Sequence, residues 1–117
     1  MMLANNTIAY EKLIGKSLDD IAKSEEIVIF VSAFTDVRMI VKCLLYLRIP
    51  FKVVEMGMSS IKDRVGFKRL RTMTNWGLMP QIFINGQFIG GIDEFFDHPE
   101  IIPSDDINKL KYRRTLQ

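Results

Sequence analysis

Ile27 to Val31 is an unbroken run of apolar, mostly β-branched residues. A run this short, with no polar alternation, predicts a strand covered on both faces. Phe51 to Glu55 predicts a second strand. Between them Val37, Ile40, Val41, Leu44, Leu45 and Leu47 recur at helical spacing. They predict an amphipathic helix capped by Thr35 or Asp36 and ended by Pro50, because the residue before a proline is pushed out of helical geometry. A helix joining two such strands predicts a parallel βαβ unit.

Outside this unit the pattern continues. Ser17, Leu18, Asp19 and Asp20 form a capping-box-like start for a short helix ending near Lys23. Ser59 or Ser60 caps a longer helix running to about Thr74, with Lys62, Arg64, Lys68, Arg69 and Arg71 forming one basic face. Gln81 to Ile84 and Gln87 to Ile89 flank Asn85-Gly86, a strong signal for a tight hairpin. Asp93 is expected to cap a helix through about His98, and Ser104, Asp105 and Asp106 to start a final one toward Tyr112. The first dozen residues carry little pattern and are expected to fray. The predicted order is α-β-α-β-α-β-β-α-α, which periodicity alone resolves only as an α/β fold with one sheet.

Charge and composition narrow the function classes. The chain has 117 residues, 48% hydrophobic and 26% charged, the size and balance of a single globular domain. Sixteen basic against fourteen acidic residues leave a net charge of +2, too even to point to a nucleic-acid or membrane surface. A short basic run, Lys109 to Arg114, reads as a solvated helix end. The one cysteine, Cys43, excludes an internal disulfide, and one His with one Cys excludes an ordinary Cys/His zinc site. No apolar run reaches membrane-spanning length, and the N-terminal stretch, which contains Glu11, does not read as a transit peptide.

Residues 74 to 93 carry more specific information. Thr74-Asn75-Trp76, then Met79-Pro80-Gln81-Ile82-Phe83, then Asn85-Gly86-Gln87-Phe88-Ile89-Gly90-Gly91-Ile92-Asp93 together resemble the second half of a glutaredoxin of the monothiol type. The resemblance runs from about residue 17 to residue 112. It implies a thioredoxin-like (glutaredoxin) α/β fold, with a central four-stranded mixed sheet flanked by helices. Residues 1–16 would then be an extension and 113–117 a tail. Glu94-Phe95-Phe96 also suggests the SH3-binding glutamic-acid-rich relatives of the same fold.

The resemblance implies a cis-proline at Pro80, with the Met79 backbone available to a peptide-like ligand. It also implies a glutathione-like groove of Met79, Pro80, Gly91, Ile92 and Asp93. In that groove the backbone N–H groups of Ile92 and Asp93 would hold a carboxylate and Asp93 an amino group. The plain alternative is a tight turn and an N-cap. Arg38 matches the basic residue after the family's active-site tetrapeptide, which falls on Phe34-Thr35-Asp36-Val37. Phe34 thereby stands at the nucleophile's position, and the family's ligand-pairing lysine and arginine fall on Ser32 and Phe67. Lys68 substitutes only in part, being a point charge without the guanidinium fork. Phe34 is expected to plug the groove or to form an exposed apolar patch with Met79.

Trp76 reads as packing beside the proline loop, and His98 as a helix-end residue. Cys43, nine residues past Phe34, reads as a buried, inert thiol. The expected function is a non-catalytic binding or interaction module with a protein partner. One alternative is a glutathione-binding relative acting in thiol redox or iron–sulfur handling. The other is an adaptor that meets an acidic partner or nucleic acid through the basic helix. Glutathione is the candidate ligand. A cluster is disfavoured because it needs thiolates that the groove lacks. The expected setting is a reducing intracellular compartment.

Overall fold

Alternate residues of the Ile27–Val31 run face opposite layers of a mixed sheet. The computed structural model describes residues 7–13 and 15–101. Within them lie strands β1 (Thr7–Ala9), β2 (Ile27–Val31), β3 (Phe51–Glu55), β4 (Gln81–Ile84) and β5 (Gln87–Gly90). The helices are α1 (Leu18–Ala22), α2 (Arg38–Leu47), α3 (Ile61–Thr74) and α4 (Ile92–Asp97), and a 3-10 turn, Tyr10–Lys12, follows β1. The sheet order is β1-β3-β2-β4-β5. The first three of these strands run parallel and the last two pairings are antiparallel. Ile27 pairs with Phe51 on one side and Ile84 on the other, which leaves β2 fully interior.

One layer packs Ile27, Ile29, Val31, Val53, Ile82 and Ile84 against Ile40, Val41 and Leu44 of α2 and Phe95 and Phe96 of α4. The other packs Val28, Phe30, Val54 and Phe83 against Tyr10, Ile21 and Leu70. This odd–even split follows from the two-residue period of a strand. Leu45, expected on the apolar face of α2, is instead exposed. Among the described residues no helix is long and apolar enough to cross a membrane.

The sheet has five strands rather than the four expected. The additional strand, β1, pairs Thr7, Ile8 and Ala9 with Val53, Val54 and Glu55 at the sheet edge. Three residues are too few for alternation to be legible, and only pairing with β3 defines it. The hairpin turn carries positive φ at both Asn85 (50°) and Gly86 (83°), the geometry a two-residue connection requires.

Ser17 Oγ accepts from Asp20 N and Ser60 Oγ from Asp63 N, as their sequence positions suggest. Two other expected caps do not form. α2 begins only at Arg38, after an N-cap at Val37 that makes no side-chain bond. Thr35 Oγ1 instead accepts from Ser32 N at 2.9 Å, closing a local turn, and Asp36 Oδ1 accepts from Arg38 N at 3.1 Å. Local side-chain bonds of this kind compete with helix propagation. At α4 the N-cap is Gly91, not Asp93. Gly91 N donates to Glu94 Oε1 at 2.8 Å, and Asp93 lies inside the first turn. The expected helix from Ser104 falls outside the described residues.

Asp63 joins the β3–α3 connection to the helix. It is buried, and its Oδ2 accepts from Gly57 N at 2.9 Å, while Oδ1 is buried without a hydrogen-bond partner. Removing the carboxylate strands the Gly57 donor but also removes the orphaned oxygen, so the two effects partly offset. Asp63→Ala is expected to cost about 1 kcal/mol, roughly 4 °C in Tm, with Asp63→Asn closer to wild type. Urea melts of both variants measure this, and an Asn variant as unstable as the Ala variant would contradict it.

Candidate functional site

The loop between α3 and β4 is held by a buried glutamine. Gln81 Nε2 donates to the Trp76 carbonyl at 2.6 Å, and Gln81 Oε1 lies 2.8 Å from the Thr74 hydroxyl. The side chain is fully buried, so both bonds form in a low-dielectric setting where they constrain geometry strongly. This anchors residues 75 to 80. Trp76 packs edge-on against Phe88 with centroids 5.5 Å apart; Phe88 meets Phe83, and Phe83 meets Phe30. A row of rings thus joins the loop to the core. The Met79–Pro80 peptide bond is cis.

Met79, Pro80, Gly91, Ile92 and Asp93 all line one cleft of about 420 Å³, together with Trp76, Leu78 and Glu94. The hairpin brings them together: β4 starts directly after Pro80, and β5 returns the chain to Gly91 at the same end of the sheet. The sequence reading did not give Glu94 or Gln81 a role. Glu94 sits three residues past Gly91, the capping-box spacing, and that spacing could have revealed it. The cleft carries two carboxylates, Asp93 and Glu94, and no cation among its lining residues. α4 is a six-residue helix, so its dipole contributes little to anion binding, and its first-turn N–H groups are the donors on offer.

The loop before α2 turns Phe34 outward, the exposed one of its two expected placements. Phe34 is 97% exposed and does not plug the cleft. Asp36 and Val37 meet Ile92 around a small cavity of about 50 Å³. Ser32 lines a separate recess of about 230 Å³ with Thr7, Thr35 and Glu55, away from the Pro80 cleft. Phe67 lines a separate, larger cleft on α3. Cys43 is 1% exposed within α2. His98 is the C-cap of α4, and its Nδ1 accepts from Glu100 N at 3.3 Å. Among the described residues no group of three or more His, Cys, Asp or Glu side chains could hold a metal ion.

Arg38 is drawn into a forked ion pair. Its Nε and Nη2 donate to Asp36 Oδ1 and Oδ2 at 3.0 and 2.9 Å. The guanidinium, helped by the Arg38 backbone N–H, lowers the Asp36 pKa to about 2. A carboxylate with a depressed folded-state pKa stabilises the fold above its unfolded value of about 4, and that contribution is lost as pH falls through about 2. The effect is small because both side chains are exposed. An NMR titration should place the Asp36 carboxyl midpoint near 2, and Arg38→Gln should move it toward 4. A wild-type midpoint near 4 would mean the pair is not held in solution.

No protein-family model matches the chain. The chain resembles the chloroplastic monothiol glutaredoxin-S14 of Arabidopsis thaliana, with 29% identity over 83 residues, 66% of this chain and 46% of the relative. It therefore spans about half the length of that curated relative. Among solved structures, the holo form of glutaredoxin C1 from Populus tremula x tremuloides superposes with a TM-score of 0.62 at 22% identity, covering 80% of this chain and 90% of that one. The buckwheat glutaredoxin–glutathione complex gives a TM-score of 0.62 at 18% identity, over 80% of this chain and 83% of that one. The chain has the glutaredoxin-like thioredoxin fold. In this fold the Pro80 cleft and the α2 loop of this chain lie at one end of the sheet, with Ile92 lining both the cleft and the loop cavity.

Proposed function

We propose that this protein is a non-catalytic, glutaredoxin-fold binding module. It takes a peptide-like ligand in the Pro80 cleft and presents Phe34 to a protein partner. The observation that carries the reading is the loop before α2, which leaves Phe34 97% exposed, at the position where the resemblance to glutaredoxins would put a nucleophile. Phenylalanine has no acid–base or nucleophilic chemistry. Cys43, the chain's sole thiol, is buried and is not among the residues that line the cleft. Exposed aromatic side chains are the groups most enriched at protein interfaces.

In the cleft, the N–H groups of Ile92 and Asp93 would meet a ligand carboxylate. The Asp93 carboxylate would meet an ammonium group, and the Met79 backbone would pair with an extended segment. A γ-glutamyl peptide such as glutathione carries these groups, and the buckwheat relative is a glutathione complex by its own description. That supports a second reading, in which the chain binds glutathione and serves thiol redox with a thiolate supplied in trans. An iron–sulfur cluster does not fit the chain's own donors, since clusters are held by thiolates and Cys43 is buried. The lone thiol suits a reducing compartment.

The test is an amide-shift titration with reduced glutathione and with its analogue bearing alanine in place of cysteine. The binding reading expects both to shift Met79, Gly91, Ile92 and Asp93 alike, with disulfide reduction at background. Turnover above background would overturn it. Gly91→Leu is a structural check on the cleft. A Cβ at Gly91 would sit at ordinary contact distance, 3.5 Å from the Pro80 carbonyl and 3.8 Å from Trp76. A larger side chain there should fill the cleft without disturbing the fold. Ligand shifts should weaken at least about tenfold with an unchanged Tm; retained shifts would place the ligand elsewhere.

A further inference from the structure

A second, larger cleft of about 810 Å³ shares Trp76 with the first. Its cations are Arg64, Lys68 and Arg71. They sit at i, i+4 and i+7 of α3 and so line about 10 Å of one helix face. No carboxylate is among its lining residues. Asp63, the sole acid of α3, is turned to Gly57. The ion pairs among the described residues, Asp19–Lys23 and Asp36–Arg38, involve none of these three cations. Two of the three are already positioned. Arg64 Nη1 donates to the Met58 carbonyl at 3.2 Å, and the Arg71 guanidinium lies 5.4 Å from the Phe67 ring centroid.

We propose that this cleft binds a small oligophosphate anion. Three charges without a carboxylate partner among the described residues, gathered in one recess, match a compact group bearing several negative charges better than a single carboxylate. Guanidinium forks also fit phosphate oxygens in pairs. Prior placement of Arg64 and Arg71 lowers the ordering cost of binding. A nucleic-acid strand is a poorer match, because the basic residues of α3 do not form one stripe. Lys62 reaches the Glu11 carbonyl and lies 6.0 Å from the Tyr10 ring centroid. Arg69 lies outside the cleft, on a shallower recess that borders it at Lys68 and Thr72. The volume is that of a small-molecule site. This inference is independent of the Pro80 cleft and stands or falls separately from it.

Trp76 is the only tryptophan in the chain and lines both clefts, so its fluorescence detects binding at either and the charge variants assign the site. Inorganic pyrophosphate, titrated into the full chain at constant ionic strength, should give a saturable one-site change, confirmed by calorimetry. Arg71→Gln and Arg64→Gln should each weaken binding about tenfold or more. Arg69→Gln, which removes the same charge outside the cleft, should change it less than about twofold. Lys68→Gln carries the same expectation as the other cleft variants should either of them unfold. No saturable binding at millimolar pyrophosphate, or an equal loss in Arg69→Gln, would overturn the assignment. Tighter binding of a single-stranded oligoribonucleotide with a steep salt dependence would also overturn it, in favour of a nucleic-acid surface.

Discussion

Replacing Gly66 with leucine is expected to destabilise the fold by about 3 kcal/mol or more. Gly66 is buried in the middle of α3, and a Cβ there would overlap the Tyr10 ring, approaching Tyr10 Cζ at 2.6 Å and Oη at 2.8 Å. Three atoms of a flat, rigid ring face that one position, so no side-chain rotation at residue 66 relieves the overlap. Tyr10 must leave, and it is a buried lid on the layer formed by Ile21, Ala22, Val28, Phe30, Val54, Met56 and Leu70. It is also the residue that follows β1, so its displacement loosens the edge strand. Gly66→Ala should cost less, because it adds the Cβ without leucine's further atoms, and its gain of up to about 1 kcal/mol of helix propensity over glycine offsets part of the overlap. The decisive measurement is a double-mutant cycle with Tyr10→Ala by urea denaturation. Direct contact requires the double variant to lose clearly less stability than the sum of the singles, and additivity would refute it.

The same residue marks a boundary of what the sequence makes legible. A lone glycine inside a helical pattern reads only as a weak point, because the residue that needs the space is more than fifty positions away. Elements defined by their own periodicity were legible: the β2 run, the apolar face of α2, the Asn85-Gly86 hairpin, and the Ser17 and Ser60 caps. β1 was not, since three residues acquire strand character only by pairing with β3. The cleft at Pro80 was legible because its residues sit in one contiguous motif that the hairpin folds back on itself. Gln81 lies within that motif, but its work of pinning the Trp76 carbonyl depends on complete burial, which no local pattern displays. The basic face of α3 was read as one surface, whereas burial and contacts divide it into Arg64, Lys68 and Arg71 in a cleft and Lys62 against Tyr10. The late start of α2 was hidden because Thr35 and Asp36 are good caps in isolation, and the competing bonds they make within the loop decide the outcome.

Cysteine in place of Phe34 is expected to be alkylated at least about a thousandfold faster than the wild-type chain, yet without becoming a catalytic thiol. The wild-type contrast comes from Cys43, which is 1% exposed and reacts only through opening events. At ordinary domain stabilities such openings are populated at about one part in a thousand or less. Position 34 is open to solvent, so a thiol there needs no opening. Its pKa is a separate matter. A helix N-terminus lowers a thiol pKa only within its first turn, and α2 starts four residues later, at Arg38. Arg38, the cation that opens α2, is paired with Asp36, and Ser32 is uncharged and lines a different recess. The alkylation rate should therefore rise with pH around a midpoint near 8.5, the ordinary thiol value, and glutathione-dependent disulfide reduction should stay near background. A midpoint below about 7 together with measurable turnover would reverse the conclusion. It would mean that the surrounding site retains its chemistry, that the α2 loop reorganises when the phenylalanine is gone, and that only one side chain separates this protein from a working oxidoreductase.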